Sequence, residues 1–343
     1  MKLRIIRVDL PLKHVLKTSQ SSVSVARTVV VELEQDALRG HGEVQEKQHY
    51  GIAVEEITDK ILSVNSLIED YALADPIAFW RYLQPALGDD KYAKYAQCAI
   101  DMAACDLWGK IRNRLLWRIW GLKPPREFPP ASRTIGLDSV DEVLERFENY
   151  ADWPVYKIKV GLRNDMEVIR ALRARTKAAF RLDANGAWNV DTTLRNVEEL
   201  KSMNVEFIEQ PLPADDWDGM KILKKKCPIP IMADESCYCE EDIDRCAEYF
   251  MGVNIKLSKF GGITPTRNAI AHAKEKGLKI LLGCGIESTI SISASAQFAA
   301  LADYIDLDGP LLIEKKVGTG VRTDKGKLIY PDENGTGIRV VFR

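Results

Sequence analysis

Three acidic residues recur at near-constant spacing, each closing a short apolar run. They are Asp183 in FRLDANGAW, Glu209 in VEFIEQPL and Asp234 in IPIMADES, 26 and then 25 residues apart. That interval holds one strand, one helix and two loops, the period of a βα unit. The alternation extends both ways. Candidate strands are SRTIGL (132–137), VYKIKV (155–160), FRLDAN (180–185), VEFIEQ (205–210), IPIMAD (229–234), GVNIKL (252–257), KILLGC (279–284) and YIDLDG (304–309). Helical stretches such as DMEVIRALRART and VDTTLRNVEELKSM separate them. The pattern predicts an α/β fold, a (β/α)8-type TIM barrel, whose C-terminal strand ends share one mouth.

The barrel does not account for the whole chain. RIIRVDL and ARTVVVELE read as strands, and the serine-rich KTSQSSVSV between them reads as a loop able to move. Gly40-His41-Gly42-Glu43 reads as a turn or bulge. AVEEITDKILSVNSLIED and YAQCAIDMAACDLWGKI carry apolar residues at helical spacing. Lys123-Pro124-Pro125 punctuates the chain. The expected division is an α+β capping domain over 1–125, the barrel over 126–315, and a C-terminal segment over 316–343 that returns to the capping domain.

Bulk properties exclude several function classes. With 48 basic and 50 acidic residues the net charge is −2, which gives no footprint for nucleic acid or an anionic membrane. No apolar run approaches the ~18 residues of a membrane span. Charges interrupt MKLRIIRVDLPLKH, so it lacks a signal-peptide core, and a cytoplasmic location is expected. The seven cysteines are odd in number and form no CxxC, so reduced thiols are expected. None of the four histidines lies in the segments that end at the acidic triplet, which argues against a histidine-rich zinc site.

The polar residues at the strand ends carry the chemistry. Hard carboxylate ligands at Asp183, Glu209 and Asp234 suit Mg²⁺, and Mn²⁺ accepts the same oxygens. Lys157 and Lys159 stand two apart on one strand and point the same way. Lys256 interrupts the apolar VNIKL, where a lysine without a purpose is costly. Asp306 and Asp308 close the last strand. Each has a bland alternative: an aspartate after a strand is often a helix N-cap, a pair of lysines often lies on a solvated edge strand, and Asp306 and Asp308 could flank a turn before Gly309-Pro310.

Taken in order, these motifs resemble the enolase superfamily, in its branch of muconate-lactonising enzymes and dipeptide epimerases. Gly40-x-Gly42-Glu43, the run Ala99-Asp101-Ala103-Asp106, and Asp234-Glu235-Ser236 add to the likeness, which covers nearly the whole chain. The resemblance implies a divalent metal on the three carboxylates, with Lys159 and Lys256 as acid and base on opposite faces of an α-carbon. Lys157 would hold the substrate carboxylate, and Lys259 would support the site. Asp306 and Asp308 would hold a dipeptide's N-terminal ammonium, while Thr134, Cys284 and Ile286 meet the dipeptide. Ser21 stands where enzymes acting on Ala-Glu carry an arginine in the capping loop, so an acidic second residue is disfavoured. The implied activity is epimerisation of the dipeptide's C-terminal residue. The rivals are a muconate cycloisomerase or o-succinylbenzoate synthase-type lyase, and a non-catalytic ligand-binding barrel. Assembly into a homo-oligomer is left open.

Overall fold

The computed structural model describes residues 1–122 and 127–341; the expected boundary at Lys123-Pro124-Pro125 lies outside them. The chain opens with an antiparallel sheet of β1 (Lys2–Lys17), β2 (Ser22–Gln35) and β3 (Leu38–Gln45), in that order. β2 is central, and its ARTVVVELE run is almost wholly buried. Gln35 pairs with Leu38 across Asp36-Ala37, whose φ values of 51° and 64° make the left-handed two-residue turn that suits a twisted hairpin.

Two sequence expectations need correction here. The loop read across KTSQSSVSV shrinks to residues 18–21, because Ser22 and Val23 pair with Lys17 and Leu16. Nor do Gly40 to Glu43 form a turn or bulge; they run in register along β3. The glycines serve close packing. A Cβ on Gly40 would fall 2.1 Å from the Ala103 carbonyl, and one on Gly42 would fall 2.0 Å from the Ala99 carbonyl.

Those carbonyls belong to the longest helix of the cap, α4 (Lys91–Ile111). It follows α1 (Val54–Leu62), α2 (Asn65–Glu69) and α3 (Pro76–Leu87). Asp90 caps α4, accepting from the amides of Tyr92 at 2.9 Å and Ala93 at 2.8 Å. The alanine-rich face that the sequence marks as buried is thin enough to lie directly on the glycines of β3.

The eight strands of the barrel are β4 (Arg133–Ile135), β5 (Val155–Lys159), β6 (Ala179–Asp183), β7 (Val205–Glu209), β8 (Ile231–Ala233), β9 (Gly252–Ile255), β10 (Lys279–Leu282) and β11 (Tyr304–Ile305). They are parallel and neighbours in sequence order. A parallel bridge between Ala131 and Ile305 closes the ring. Inside it, Arg181 is fully buried, bonded to Glu206 at 2.7 Å and to the Ile305 carbonyl at 2.8 Å. Asp183, two residues on, therefore faces the same interior one layer nearer the mouth.

Beyond the barrel, Leu12 bridges Ile313, and Ile338 and Val340 pack with Ile6, Val8 and Val30. No described helix is long and apolar enough to cross a membrane. Replacing Gly42 with alanine should drive a methyl into the backbone of α4. We expect a loss of about 3 kcal/mol or soluble expression failure, read by urea unfolding.

Candidate active site

The parallel ladder sets the site. Lys159 pairs in register with Asp183, and Asp183 with Glu209, so three strand-terminal side chains line up across β5, β6 and β7. Asp234 and Lys256 come one residue after β8 and β9. Asp183, Glu209 and Asp234 are buried, and each offers a carboxylate oxygen within 4.8 Å of the others. Oxygens in an octahedral shell of ~2.1 Å radius lie roughly 3–4 Å apart, so the triad fits a small divalent cation with modest adjustment. Glu209 Oε2 is buried and lacks a directed hydrogen bond, although Lys157 Nζ lies 2.9 Å away. Its other oxygen accepts from Asn254 at 2.6 Å, which aims the carboxylate. An oriented carboxylate whose second oxygen has only an ion-pair contact suits a metal ligand.

Lysines surround the triad. Lys157, 4% exposed at its side chain, lies 3.0 Å from Asp183, 2.9 Å from Glu209 and 2.8 Å from Asp306. Lys159 donates to Asp183 at 2.6 Å and to Asn185 at 3.0 Å. Lys256 donates to Asp234 at 2.5 Å, and Lys259 to the same carboxylate at 2.7 Å and to its carbonyl at 2.8 Å. Three strands, β6 to β8, separate the strands of Lys159 and Lys256, so the two flank the triad from opposite sides.

The charges shift one another. Burial disfavours the Lys256 ammonium, but Asp234, Glu209 and Glu235 together outweigh it and hold the group above its ordinary range. Burial likewise opposes charge on Lys157, and Asp183, Asp306 and Glu209 together raise it. Burial would raise Asp183, yet Lys157 and Lys159 hold it low. Glu209 goes the other way, pushed up by burial and by the charge of Asp183.

Asp306 and Asp308 are both buried and face the same cavity. Each already has a cation beside it within the chain. Asp306 already meets Lys157 and accepts from Ser132 at 2.7 Å. Asp308 meets Arg133 at 3.2 Å and accepts from the Thr134 amide and hydroxyl at 2.7 and 3.1 Å. Sequence spacing could not show these partners, because β4 meets β11 only where the ring closes.

The cavity holds about 380 Å³. Its lining unites every expected contact residue: Thr134, Lys157, Lys159, Asp234, Lys256, Cys284, Ile286, Asp306, Asp308 and Ser21. Asp183 and Glu209 are not in the lining but meet lysines that are: Asp183 meets Lys157 and Lys159, and Glu209 meets Lys157. Residues 18–21 close one side. Ser19 donates to the Ala184 carbonyl at 3.1 Å, and Gln20 donates to the Asn185 carbonyl at 2.8 Å. Trp188 is elsewhere, buried and donating to Asp165 at 2.9 Å. Glu287 is buried and bonded to Ser291, while His272 sits on a helix surface against Asp244. Arg27, Lys47, Tyr50, Tyr95 and Tyr238 also line the cavity, and sequence reading missed them. Arg27 and Lys47 flank the buried runs of β2 and β3, but only the docking of cap on barrel shows that they reach the mouth.

Residues 1–121 match the N-terminal domain of the mandelate racemase / muconate lactonizing enzyme family, and residues 139–342 match the enolase C-terminal domain-like family. The chain belongs to the enolase superfamily. This enolase-superfamily chain is 39% identical over 341 residues to an L-Ala-D/L-amino acid epimerase of Flavobacterium johnsoniae, covering 99% of this chain and all of that one. It also superposes on a substrate-liganded L-Ala-D/L-Glu epimerase of Bacillus subtilis with a TM-score of 0.91 and 28% identity, over 98% of this chain and 99% of that one. A dipeptide epimerase of Enterococcus faecalis, complexed with Mg and L-Leu-L-Tyr, matches with a TM-score of 0.90 and 25% identity, over 98% of each chain.

Metal binding by the triad should be visible without any assay of turnover. Mg²⁺ at 100 times its Kd should stabilise the fold by about 2.7 kcal/mol. The gain should appear as a rise in Tm by differential scanning fluorimetry and vanish in Glu209→Gln.

Proposed function

We propose that this protein is a Mg²⁺-dependent dipeptide epimerase that inverts the α-carbon of the C-terminal residue. One observation carries the reading: Lys159 and Lys256 flank a buried three-carboxylate cluster from opposite sides, with the Asp306/Asp308 pair across the same cavity. The relatives' activities support it, since proteins alike over nearly their whole length are named L-Ala-D/L-amino acid epimerases.

In this reading Asp183, Glu209 and Asp234 hold the metal. Bound there, Mg²⁺ supplies positive charge against the negative charge that develops on the enediolate oxygens, and lowers the basicity of the nearby lysines. Lys157 orients the substrate carboxylate. One of Lys159 and Lys256, as the neutral amine, removes the α-proton from its face. The other, as the ammonium, delivers a proton to the opposite face, and the α-carbon is inverted. Lys259 stays bonded to Asp234 and holds it in place. Asp306 and Asp308 receive the substrate's N-terminal ammonium, and Thr134, Cys284 and Ile286 wall the dipeptide. Ser21 leaves the capping loop without a cation for an acidic second residue. The free thiols fit a reducing compartment, the cytoplasm.

Purified protein with Mg²⁺ in D₂O should add one deuterium at the α-carbon of a subset of L,L-dipeptides, read by mass spectrometry. Lys159→Ala or Lys256→Ala should cut epimerisation by at least ~10²-fold with the fold intact by circular dichroism. Full activity in either variant would sink the two-lysine assignment.

The ammonium contact has its own test. N-acetylation of a good dipeptide should lower kcat/KM by about 10²-fold, since buried carboxylates would lose a charged partner. Equal rates on both forms would assign Asp306 and Asp308 a purely structural role and favour an N-acylamino acid substrate.

A further inference from the structure

Asp101 lies in the middle of α4, in the cap, and is 2% exposed. It touches none of the residues proposed to meet the substrate, and no described cation pairs with it. Its carboxylate instead crosses to the barrel. Oδ2 accepts from the Thr264 amide at 2.7 Å, and Oδ1 accepts from the Thr264 hydroxyl at 2.7 Å. Thr264 is in the first turn of the helix Ile263–Glu275, where unpaired amides and the helix dipole favour an anion.

That helix is joined tightly to Lys256. The short helical turn Leu257–Phe260 follows β9 directly. The Lys256 carbonyl accepts from the Lys259 amide at 3.0 Å, and the Leu257 carbonyl from the amides of Gly261 and Gly262 at 2.9 Å each. Gly261 and Gly262 have φ of 87° and 125°. A Cβ on Gly262 would fall 2.5 Å from Asp101 Oδ2, so the carboxylate reaches Thr264 only because that position has no side chain. The four consecutive amides of residues 259–262 are thus bonded back to the carbonyls of Lys256 and Leu257, and Asp101 fixes the far end of the stretch at Thr264. The structure on the other flank differs: Lys159 is the last residue of β5 and is held by the barrel ladder itself.

We infer that Asp101 is a positioning residue for Lys256, holding one of the two acid/base groups in place from the cap while leaving the other to the barrel. The inference rests on the two-lysine reading above. It makes a prediction that a general loss of stability does not. A lysine ammonium carries three equivalent hydrogens. In D₂O, a lysine that removes the α-proton can return a deuteron to the same face, giving exchange without inversion. Inversion needs both lysines.

Asp101→Ala removes both acceptors of the Thr264 amide and hydroxyl, and the anchor is lost. We expect epimerisation to fall by about tenfold or more at little changed KM. From the epimer whose proton Lys159 removes, deuterium wash-in without inversion should stay within about twofold of wild type. Both are read on one sample by mass spectrometry and chiral chromatography, well below the measured Tm. Thr264→Val keeps the carboxylate and the amide but removes the hydroxyl donor. It should split the two rates in the same direction by a smaller factor, and it carries the test if Asp101→Ala does not fold. A proportional fall of exchange and inversion in the variants, or no change in either, would overturn the positioning role. A wild type that exchanges no dipeptide α-proton would instead overturn the underlying function.

Discussion

The buried ion cluster around Lys157 is the constraint on which the barrel mouth depends. Asp183, Glu209 and Asp306 approach one ammonium that is itself out of water. Desolvating these groups costs several kcal/mol each, and only close opposite charge offsets it. The cluster therefore tolerates little drift in strand register. A slip of one residue would turn these side chains out of the barrel. Closure of the ring matters for the same reason, because it brings β11, with Asp306 after it, back against the start of β4, whose other neighbour is the strand of Lys157.

The cap is attached by a related device. Polar residues on β3 and α4 reach the barrel loop after β10 and the C-terminal return. Glu43 accepts from the Ser288 amide and, at 2.5 Å, from its hydroxyl, at the start of the helix after β10. Gln45 accepts from the Ile286 amide at 3.1 Å. Asp106 accepts from the Thr336 amide at 2.8 Å and the His41 amide at 2.9 Å, tying the C-terminal return to β3. Burial pushes Glu43 up to about 7 and Asp101 up to about 7, each opposed by its amide and hydroxyl donors. Anchors of this kind have a cost to stability, because a carboxylate that resists ionisation is held in a dry seam. They position loops that carry the site, and that is where such a cost is found.

How much of this was legible in the sequence follows from the physics of each feature. The barrel and the triad were legible because strand ends repeat, and a carboxylate or lysine inside an apolar run needs a reason. Lys256 in VNIKL is the clearest case. Gly40 to Glu43 misled because glycine marks both turns and close packing, and only the partner helix distinguishes them. The serine-rich segment misled because edge strands and loops share composition. Trp188 and Asn185 are three residues apart, yet only Asn185 lines the cavity. Partners contributed by distant strands, such as Arg133 for Asp308, leave no local trace at all.

The cavity's outer wall returns to the question that Ser21 raised. An acidic side chain on the second residue would need a cation with free hydrogen-bonding capacity. Arg27 lines the cavity, but its guanidinium is engaged by Glu55, by Glu46 at 3.4 Å and by Asp9 at 3.8 Å. Lys47 also reaches the wall, where it donates to Gln45 at 2.8 Å. Burial draws the Lys47 ammonium below its ordinary range, against the pull of Glu287. Arg27 is thus neutralised by carboxylates, and Lys47 is the cation whose charge burial weakens. A wall built this way offers hydroxyls from Ser21, Ser22 and Ser24 and apolar surface from Leu16, Val23 and Ile286. Those groups suit small, polar or hydrophobic side chains, since a buried carboxylate there would gain no bidentate partner to offset its desolvation.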